Sequence, residues 1–326
     1  MHGLSNTQRG LEMLTDPLLT VLMTVYNGGR YLRTAMDSIL AQTYRDFRFL
    51  IVDDASNDQS RDIVRSYDDP RIELVALERN VGQTAALNIG LRRARSPWIA
   101  RMDADDYAAP SRLQEQLSAL ERNPSLDCVG TFAWLFRDDP AVREGVIEKP
   151  LHDVVIKRQL WRAVPMIHGT LLVRRSALCD VGGYDERYRY SADLELYNRL
   201  LPRCRAANLP KHLIGLRRRP GQGSYARGTM EENIEIFSRI LTTQCRTHGD
   251  RMTVRGSLAF TYCMRARLGQ QEGKFEEMLS DWGRAFQWSP FTTVKQLAAP
   301  VIPSRIRFLI RQRLSGPDVP RSWWAG

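Results

Sequence analysis

Phe49-Leu50-Ile51-Val52-Asp53-Asp54 and Trp98-Ile99-Ala100-Arg101-Met102-Asp103-Ala104-Asp105-Asp106 share one pattern. Each is an apolar run that reads as a buried strand and stops at a cluster of aspartates. Carboxylates placed where parallel strands stop converge on the crevice at the sheet's carboxyl edge, the usual ligand site of open α/β folds. The chain has 47 Lys and Arg against 37 Asp and Glu, a net charge of +10, yet it gathers bare negative charge at these two places. That combination calls for a divalent cation and a phosphate-bearing ligand.

Outward from these runs, strand and helix alternate. Leu18–Tyr26 reads as a first strand, and Gly28-Gly29 opens a helix with Leu32, Ala35, Met36, Ile39 and Leu40 at amphipathic spacing. Phe47–Asp53 is a strand, Asn57–Tyr67 a helix, Ile72–Leu77 a strand, Gly82–Arg95 a helix and Trp98–Met102 a fourth strand. Repeated β-α units at this spacing predict the α/β class, with a mostly parallel, doubly wound sheet covered on both faces. After a helix at Ser111–Arg122 the regularity weakens. Cys128–Phe136 is strand-like, Leu151–Ala163 helical, Gly169–Val173 a strand and Ala192–Leu201 an amphipathic helix. A Gly- and Arg-rich loop, Arg217–Ser224, follows, and from Thr229 the pattern is helical. The expected organisation is a tail at 1–16, an α/β domain at 17–227 and a helical region at 228–326.

Composition narrows the function classes. No apolar stretch reaches the roughly 18 residues a membrane span needs. Met1–Asp16 is polar and lacks a signal-peptide core, so a cytosolic protein is expected. Five scattered cysteines without a CxxC pair argue against a disulfide framework and a structural zinc site. The basic balance comes without a nucleic-acid-binding motif or an aromatic stacking repeat, which speaks against nucleic acid as a partner. Phosphate ligands and an anionic membrane surface account for it better.

The candidate chemistry follows from residue type and position. Asp53, at the end of its strand, is placed to accept hydrogen bonds from a base or ribose, with Tyr26 over the base face. Asp54 reads either as a second nucleotide contact or as the cap of its own turn. Asp103 and Asp105 lie on one side of an extended segment. Hard cations such as Mg²⁺ or Mn²⁺ are held by one or two carboxylates plus substrate phosphates. Asp105 is read as the direct metal ligand, and Asp103 as a contact to ribose or metal-bound water. Asp193, at the start of a short helix whose dipole favours an ionised carboxylate, is the candidate general base. Arg217, Arg218 and Arg219 suit a diphosphate, on a loop that reads either as a lid or as an exposed basic turn. Near the end, Ile306, Leu309, Ile310 and Leu314 alternate with Arg305, Arg307, Arg311 and Arg313, and Trp323-Trp324 stands in the tail beyond them. That segment reads either as a peripheral membrane anchor or as a helix packed on the domain.

Val25-Tyr26-Asn27, Val52-Asp53-Asp54-Ala55-Ser56 and Asp103-Ala104-Asp105 together resemble the nucleotide-binding half of inverting family 2 glycosyltransferases. Asn80-Val81-Gly82 and Ala86-Leu87-Asn88 extend the match. Ile167-His168-Gly169-Thr170, Gly182-Gly183-Tyr184-Asp185 and Asp193-Leu194-Glu195-Leu196 continue it in the family's order, over roughly residues 18–225. The resemblance implies a GT-A fold and a nucleoside-diphosphate-sugar donor contacted by Val25, Tyr26, Asn27, Asp53, Asp54, Asp103 and Asp105. It also implies an acceptor-side place for His168, which otherwise reads as a structural histidine. A glycan or lipid-linked acceptor is expected, in cell-surface polysaccharide or glycolipid assembly. The family usually has Glu-Asp where this chain has Ala192-Asp193, which leaves the base in place and changes its neighbour. Without a Gln-x-x-Arg-Trp motif or a transmembrane bundle, single rather than processive addition is expected. Two rivals differ in class. A nucleotidyltransferase would carry a longer phosphate loop than Asn27-Gly28-Gly29-Arg30, and a non-catalytic nucleotide-sugar or glycan binder would have no use for Asp193.

Overall fold

The computed structural model describes residues 17–219 and 226–297. The tail at 1–16, the Gly-rich part of the loop at 220–225, and the basic segment with its two terminal tryptophans lie outside the described residues. In chain order the elements begin β1 (Leu19–Val25), α1 (Gly29–Leu40), β2 (Phe47–Asp53), α2 (Ser60–Arg65), β3 (Ile72–Ala76), α3 (Gln83–Arg93) and β4 (Trp98–Asp103). They continue with β5 (Tyr107–Ala108), α4 (Arg112–Arg122), β6 (Cys128–Phe136), β7 (Gly145–Ile147), α5 (Asp153–Gln159), β8 (Leu172–Arg174) and α6 (Arg175–Asp180). Then come α7 (Ala192–Leu200), β9 (Ala206–Arg217), α8 (Arg227–Thr243), α9 (His248–Gln271), α10 (Phe275–Trp288) and α11 (Pro290–Leu297).

The chain divides into two compact units. One takes the chain up to Glu148, Ile167–Gly183 and Cys204–Arg217; the other takes Lys149–Met166, Tyr184–Arg203 and the chain from Arg218. The strands all belong to the first unit and form one sheet, ordered β3-β2-β1-β4-β8-β6-β9-β5, with β7 paired to β6. The four strands predicted to be parallel are parallel. Every residue of β1 is buried, the mark of a strand covered on both faces. Helix α1 buries Leu32, Ala35, Met36 and Ile39, the face its spacing predicts. Beyond β4 the sheet becomes mixed: β8 runs antiparallel to β4 and β6, whereas β6 and β9 are parallel.

Some elements depart from expectation. The second helix shrinks to Ser60–Arg65 because the residues before it are engaged in side-chain turns and Pro70 discourages helix at its end. The strand expected at Gly169–Val173 starts later, at Leu172, after a 3₁₀ turn over His168–Thr170. Strand β9 is invisible to pattern reading. Pro210 interrupts it, and the fold absorbs the break as a register shift: Leu209 pairs Thr131, and the next pair is His212 with Phe132.

The second unit is helical and has its own core. Ile236, Phe237 and Ile240 of α8 meet Leu258 and Tyr262 of α9 and Trp282 of α10. Thr247 and Asp250 form a reciprocal capping box that starts α9.

Candidate active site

Strand register brings the predicted acids of the first unit to one edge. Val25 of β1 stands opposite Asp53 of β2, and Thr24 stands opposite Asp103 of β4. The turns leaving β1 and β2 are tied together. The Asn27 N–H donates to Ser56 Oγ at 3.0 Å, and the Asn57 N–H donates to Asn27 Oδ1 at 2.9 Å. Asn27 and Ala55 both adopt positive φ, 50° and 60°, a strained choice for residues other than glycine. Gly28 lies against β1, where an added Cβ would come within 2.7 Å of Val25 Cγ2. The next N–H groups, of Gly28 and Gly29, donate to Ser60 Oγ and Asp58 Oδ2, each at 2.9 Å. Predicted Val25 is buried, Asn27 is part of this lacing, and Tyr26 is half exposed beside it.

Asp53 and Asp54 divide their work. Asp53 is fully buried; its Oδ1 accepts from the Ser56 N–H at 3.0 Å and from Arg61 Nε at 2.5 Å. Its Oδ2 has no hydrogen-bond partner. A buried carboxylate oxygen left without a donor is costly, and a ligand N–H or hydroxyl would relieve that cost. Asp54 is committed elsewhere: its Oδ1 and Oδ2 accept from the Val81 and Gly82 N–H groups at 2.7 and 2.9 Å. It holds the loop leading into α3; the cap of its own turn, at the Ser56 N–H, is supplied by Asp53 and not by Asp54.

The second acidic cluster rests on buried arginines. Arg101, only 2% exposed, donates through a terminal nitrogen to Asp103 Oδ1 at 2.6 Å and through the other to the Met102 carbonyl. Gln83 also reaches Asp103 Oδ1, at 3.4 Å. Arg217 is buried, not a solvent-facing phosphate clamp. Its N–H donates to Asp106 Oδ1 at 2.9 Å, its Nε to the Asp105 carbonyl at 2.8 Å, and its guanidinium lies 4.4 Å from the centres of the Tyr31 and Phe136 rings. It therefore fixes the backbone carrying Asp105, while Arg218, the next residue, is exposed.

Asp106 is the residue the pattern reading left unassigned. Burial, reinforced by the charges of Asp105 and Asp103, holds its carboxyl well above the usual range. Below it, burial and the nearby Arg101 push the Arg112 guanidinium down to about 9. Gly169 closes the cluster: a Cβ there would lie 3.1 Å from Asp103 Oδ2 and 3.4 Å from Asp106 Oδ2. Its neighbour His168 has its imidazole pushed down to about 3, by burial first and by Arg101 second, so the ring is neutral. A sequence signal for Arg101 existed, since residues two apart on a strand share a face.

The chemistry of this donor set suits a hard cation in part. Asp103 and Asp105 are partly exposed carboxylates, whereas Asp106 is buried and hydrogen-bonded to backbone. No group of three or more metal-binding side chains occurs among the described residues. Two carboxylates completed by substrate phosphates match that count.

In the second unit Asp193 opens α7, where its Oδ1 accepts from the Leu194 N–H at 2.8 Å. The segment before it is braced by one side chain. Glu232 of α8 accepts the N–H groups of Arg189, Tyr190 and Ser191 at 2.8, 2.8 and 2.7 Å. Two residues on, Glu195 is 1% exposed and paired with Arg199 and Arg239. Burial lowers the Lys149 ammonium below its usual range, with the Asp193 charge acting in the opposite direction.

Known proteins resemble this chain at both levels. The putative glycosyltransferase EpsE of Bacillus subtilis is 33% identical over 211 residues, 63% of this chain and 74% of its own. The solved structure of S. aureus TarS 1-349 in complex with UDP-GlcNAc superposes with a TM-score of 0.65 at 18% identity, covering 90% of this chain and 86% of that one. The mannosyltransferase PcManGT from Pyrobaculum calidifontis, in complex with GDP-Man and Mn²⁺, gives 0.57 at 16% identity, covering 92% and 87%. These likenesses establish a GT-A fold. Residues 20–182 match glycosyl transferase family 2, and they hold both acidic strand ends. With its fold, its sheet-edge aspartates and its sequence in agreement, the chain belongs to glycosyl transferase family 2 and is a glycosyltransferase.

Proposed function

We propose that the chain moves a single sugar from a nucleoside-diphosphate sugar to an acceptor hydroxyl, with inversion at the anomeric carbon and dependence on Mg²⁺ or Mn²⁺. The observation carrying this reading is the pairing of a buried, unpartnered Asp53 Oδ2 with the partly exposed Asp103 and Asp105 along one sheet edge. Asp53 accepts a hydrogen bond from the nucleoside, and Tyr26 covers the base. Asp105, on a backbone fixed by Arg217, and Asp103, held by Arg101, are the residues that would hold the cation. When bound, the cation supplies neutralisation of the charge on the departing diphosphate. UDP-GlcNAc bound to TarS and GDP-Man with Mn²⁺ bound to PcManGT support a donor of this kind.

Asp193 takes the proton of the acceptor hydroxyl as its oxygen forms the new bond to the anomeric carbon. The bond from that carbon to the diphosphate oxygen breaks, and the leaving group keeps the electron pair. The positive charge developing at the anomeric carbon makes the demand shared with glycoside hydrolysis. The acceptor is a glycan or a lipid-linked sugar in cell-surface polymer assembly, which rests on the family resemblance and the basic character of the C-terminal region. A panel of nucleotide sugars, screened for Mn²⁺- or Mg²⁺-dependent thermal stabilisation, tests the reading and identifies the donor. Stabilisation by none of them, with either metal, would remove it.

A further inference from the structure

In the second unit, large exposed apolar side chains gather where α9 and α11 meet. Met252 and Phe260 of α9 are 48% and 46% exposed, and Phe291 of α11 is 78% exposed. A Cβ added at Gly256 would lie 3.7 Å from Thr292 Oγ1, and Arg267 donates to the Gln296 carbonyl at 2.8 Å. Helix α11 therefore lies along the middle of α9. Met252, Gly256 and Phe260 succeed each other at helical i, i+4 spacing, so the exposed side chains flank its seat. Phe291 and Lys295 share the outer side of α11 by the same spacing.

The charge pattern is one-sided. Arg251–Gln271 contains no Asp or Glu, and neither does Trp282–Leu297. Arg251, Arg255, Arg284 and Lys295 are exposed within these stretches. The neighbouring acids have other duties: Asp250 caps α9, Glu272 and Glu277 hold Arg227, and Asp281 is buried against Arg265. Exposed aromatics on two helices whose charged residues over these stretches are all cationic fit the interface of an acidic bilayer. A surface meant only for water would have no reason to exclude acids.

We infer that the face built by α9 and α11 docks on an anionic lipid bilayer, with Phe260 and Phe291 entering the headgroup region and Arg255 and Lys295 meeting lipid phosphates. This rests on the lipid-linked acceptor named above, but its test needs neither donor nor acceptor. The full-length chain is floated with phosphatidylcholine vesicles, with and without phosphatidylglycerol. It binds the anionic vesicles, leaves the neutral ones, and releases as salt rises. The double variant Phe260→Ser/Phe291→Ser lowers the partition coefficient about tenfold or more, and Arg255→Glu/Lys295→Glu does the same through charge. Both keep the wild-type melting temperature and Mn²⁺-dependent nucleotide-sugar stabilisation; a wild type that no nucleotide sugar stabilises would count against the proposed function and not against this face. Absence of wild-type binding to anionic vesicles overturns the inference. So does undiminished partition of both double variants, or a dimer that becomes monomer in the Phe variant while vesicle binding persists.

Discussion

Arg101 shows how a buried cation earns its place in this fold. Its guanidinium is nearly inaccessible and holds Asp103 Oδ1 at 2.6 Å. Charge-assisted hydrogen bonds of this kind contribute about 1.5–3 kcal/mol. Arg101→Met is therefore expected to weaken Mn²⁺-dependent binding of the nucleoside diphosphate about tenfold or more, with Arg101→Lys restoring part. Calorimetry on both variants checks it, and equal loss in both would show that burial volume rather than charge matters. His168 gives a prediction in pH. An unfolded histidine takes its proton near 6.5, whereas this one resists until about 3. The folded state thus binds fewer protons over that window, and His168 costs stability progressively as pH falls from 6.5 towards 3. His168→Gln should flatten that fall in denaturant midpoints measured across the range; an unchanged slope would mean that the ring is not held neutral.

Among the elements, β1, β2 and β4 were legible because apolar runs and near-complete burial coincide there, and α1 because helical spacing marks its buried face. Strand β9 was not, because Pro210 and Lys211 disguise it and only pairing with β6 makes it a strand. Gly215 of β9 lies where an added Cβ would come within 2.8 Å of Trp134 Cε2 and 3.0 Å of Phe136 Cε1. Gly215→Ala is expected to cost about 1–3 kcal/mol of stability by overpacking, read in the denaturation midpoint. The candidate site was legible as a set of acids but not as a division of labour. Asp53 and Asp54 look alike in sequence, and only the structure shows Asp54 spent on the Val81 and Gly82 N–H groups. Asp54→Ala should lose about 1–3 kcal/mol of stability by orphaning those donors. Asp53→Ala orphans the Ser56 N–H and Arg61 and should destabilise as well, but it alone of the two should also lower donor affinity in the folded protein. Donor affinity lost in Asp54→Ala and kept in Asp53→Ala would exchange the two roles. Arg217 shows the same gap: an arginine beside a Gly-rich loop suggests a phosphate clamp, and the structure adds that it is buried, 4.4 Å from the centres of two aromatic rings.

At the scale of the whole molecule, the acidic sheet edge belongs to one unit and Asp193 to the other. Asp193→Asn should leave nucleotide-sugar stabilisation at the wild-type value and lower turnover by about 10²–10⁴-fold, the usual worth of a general base. Undiminished turnover would take Asp193 out of the mechanism. No helix among the described residues is long and apolar enough to cross a membrane. The central claim, that the strand-end aspartates hold a diphosphate through a divalent cation, is open to one direct measurement. Wild type and Asp105→Ala are titrated calorimetrically with UDP and with GDP, each in Mn²⁺ and in chelator. At least one diphosphate should bind the wild type in Mn²⁺, and chelation or the substitution should each weaken it about tenfold or more. Binding of equal strength in chelator and in Asp105→Ala would contradict the account.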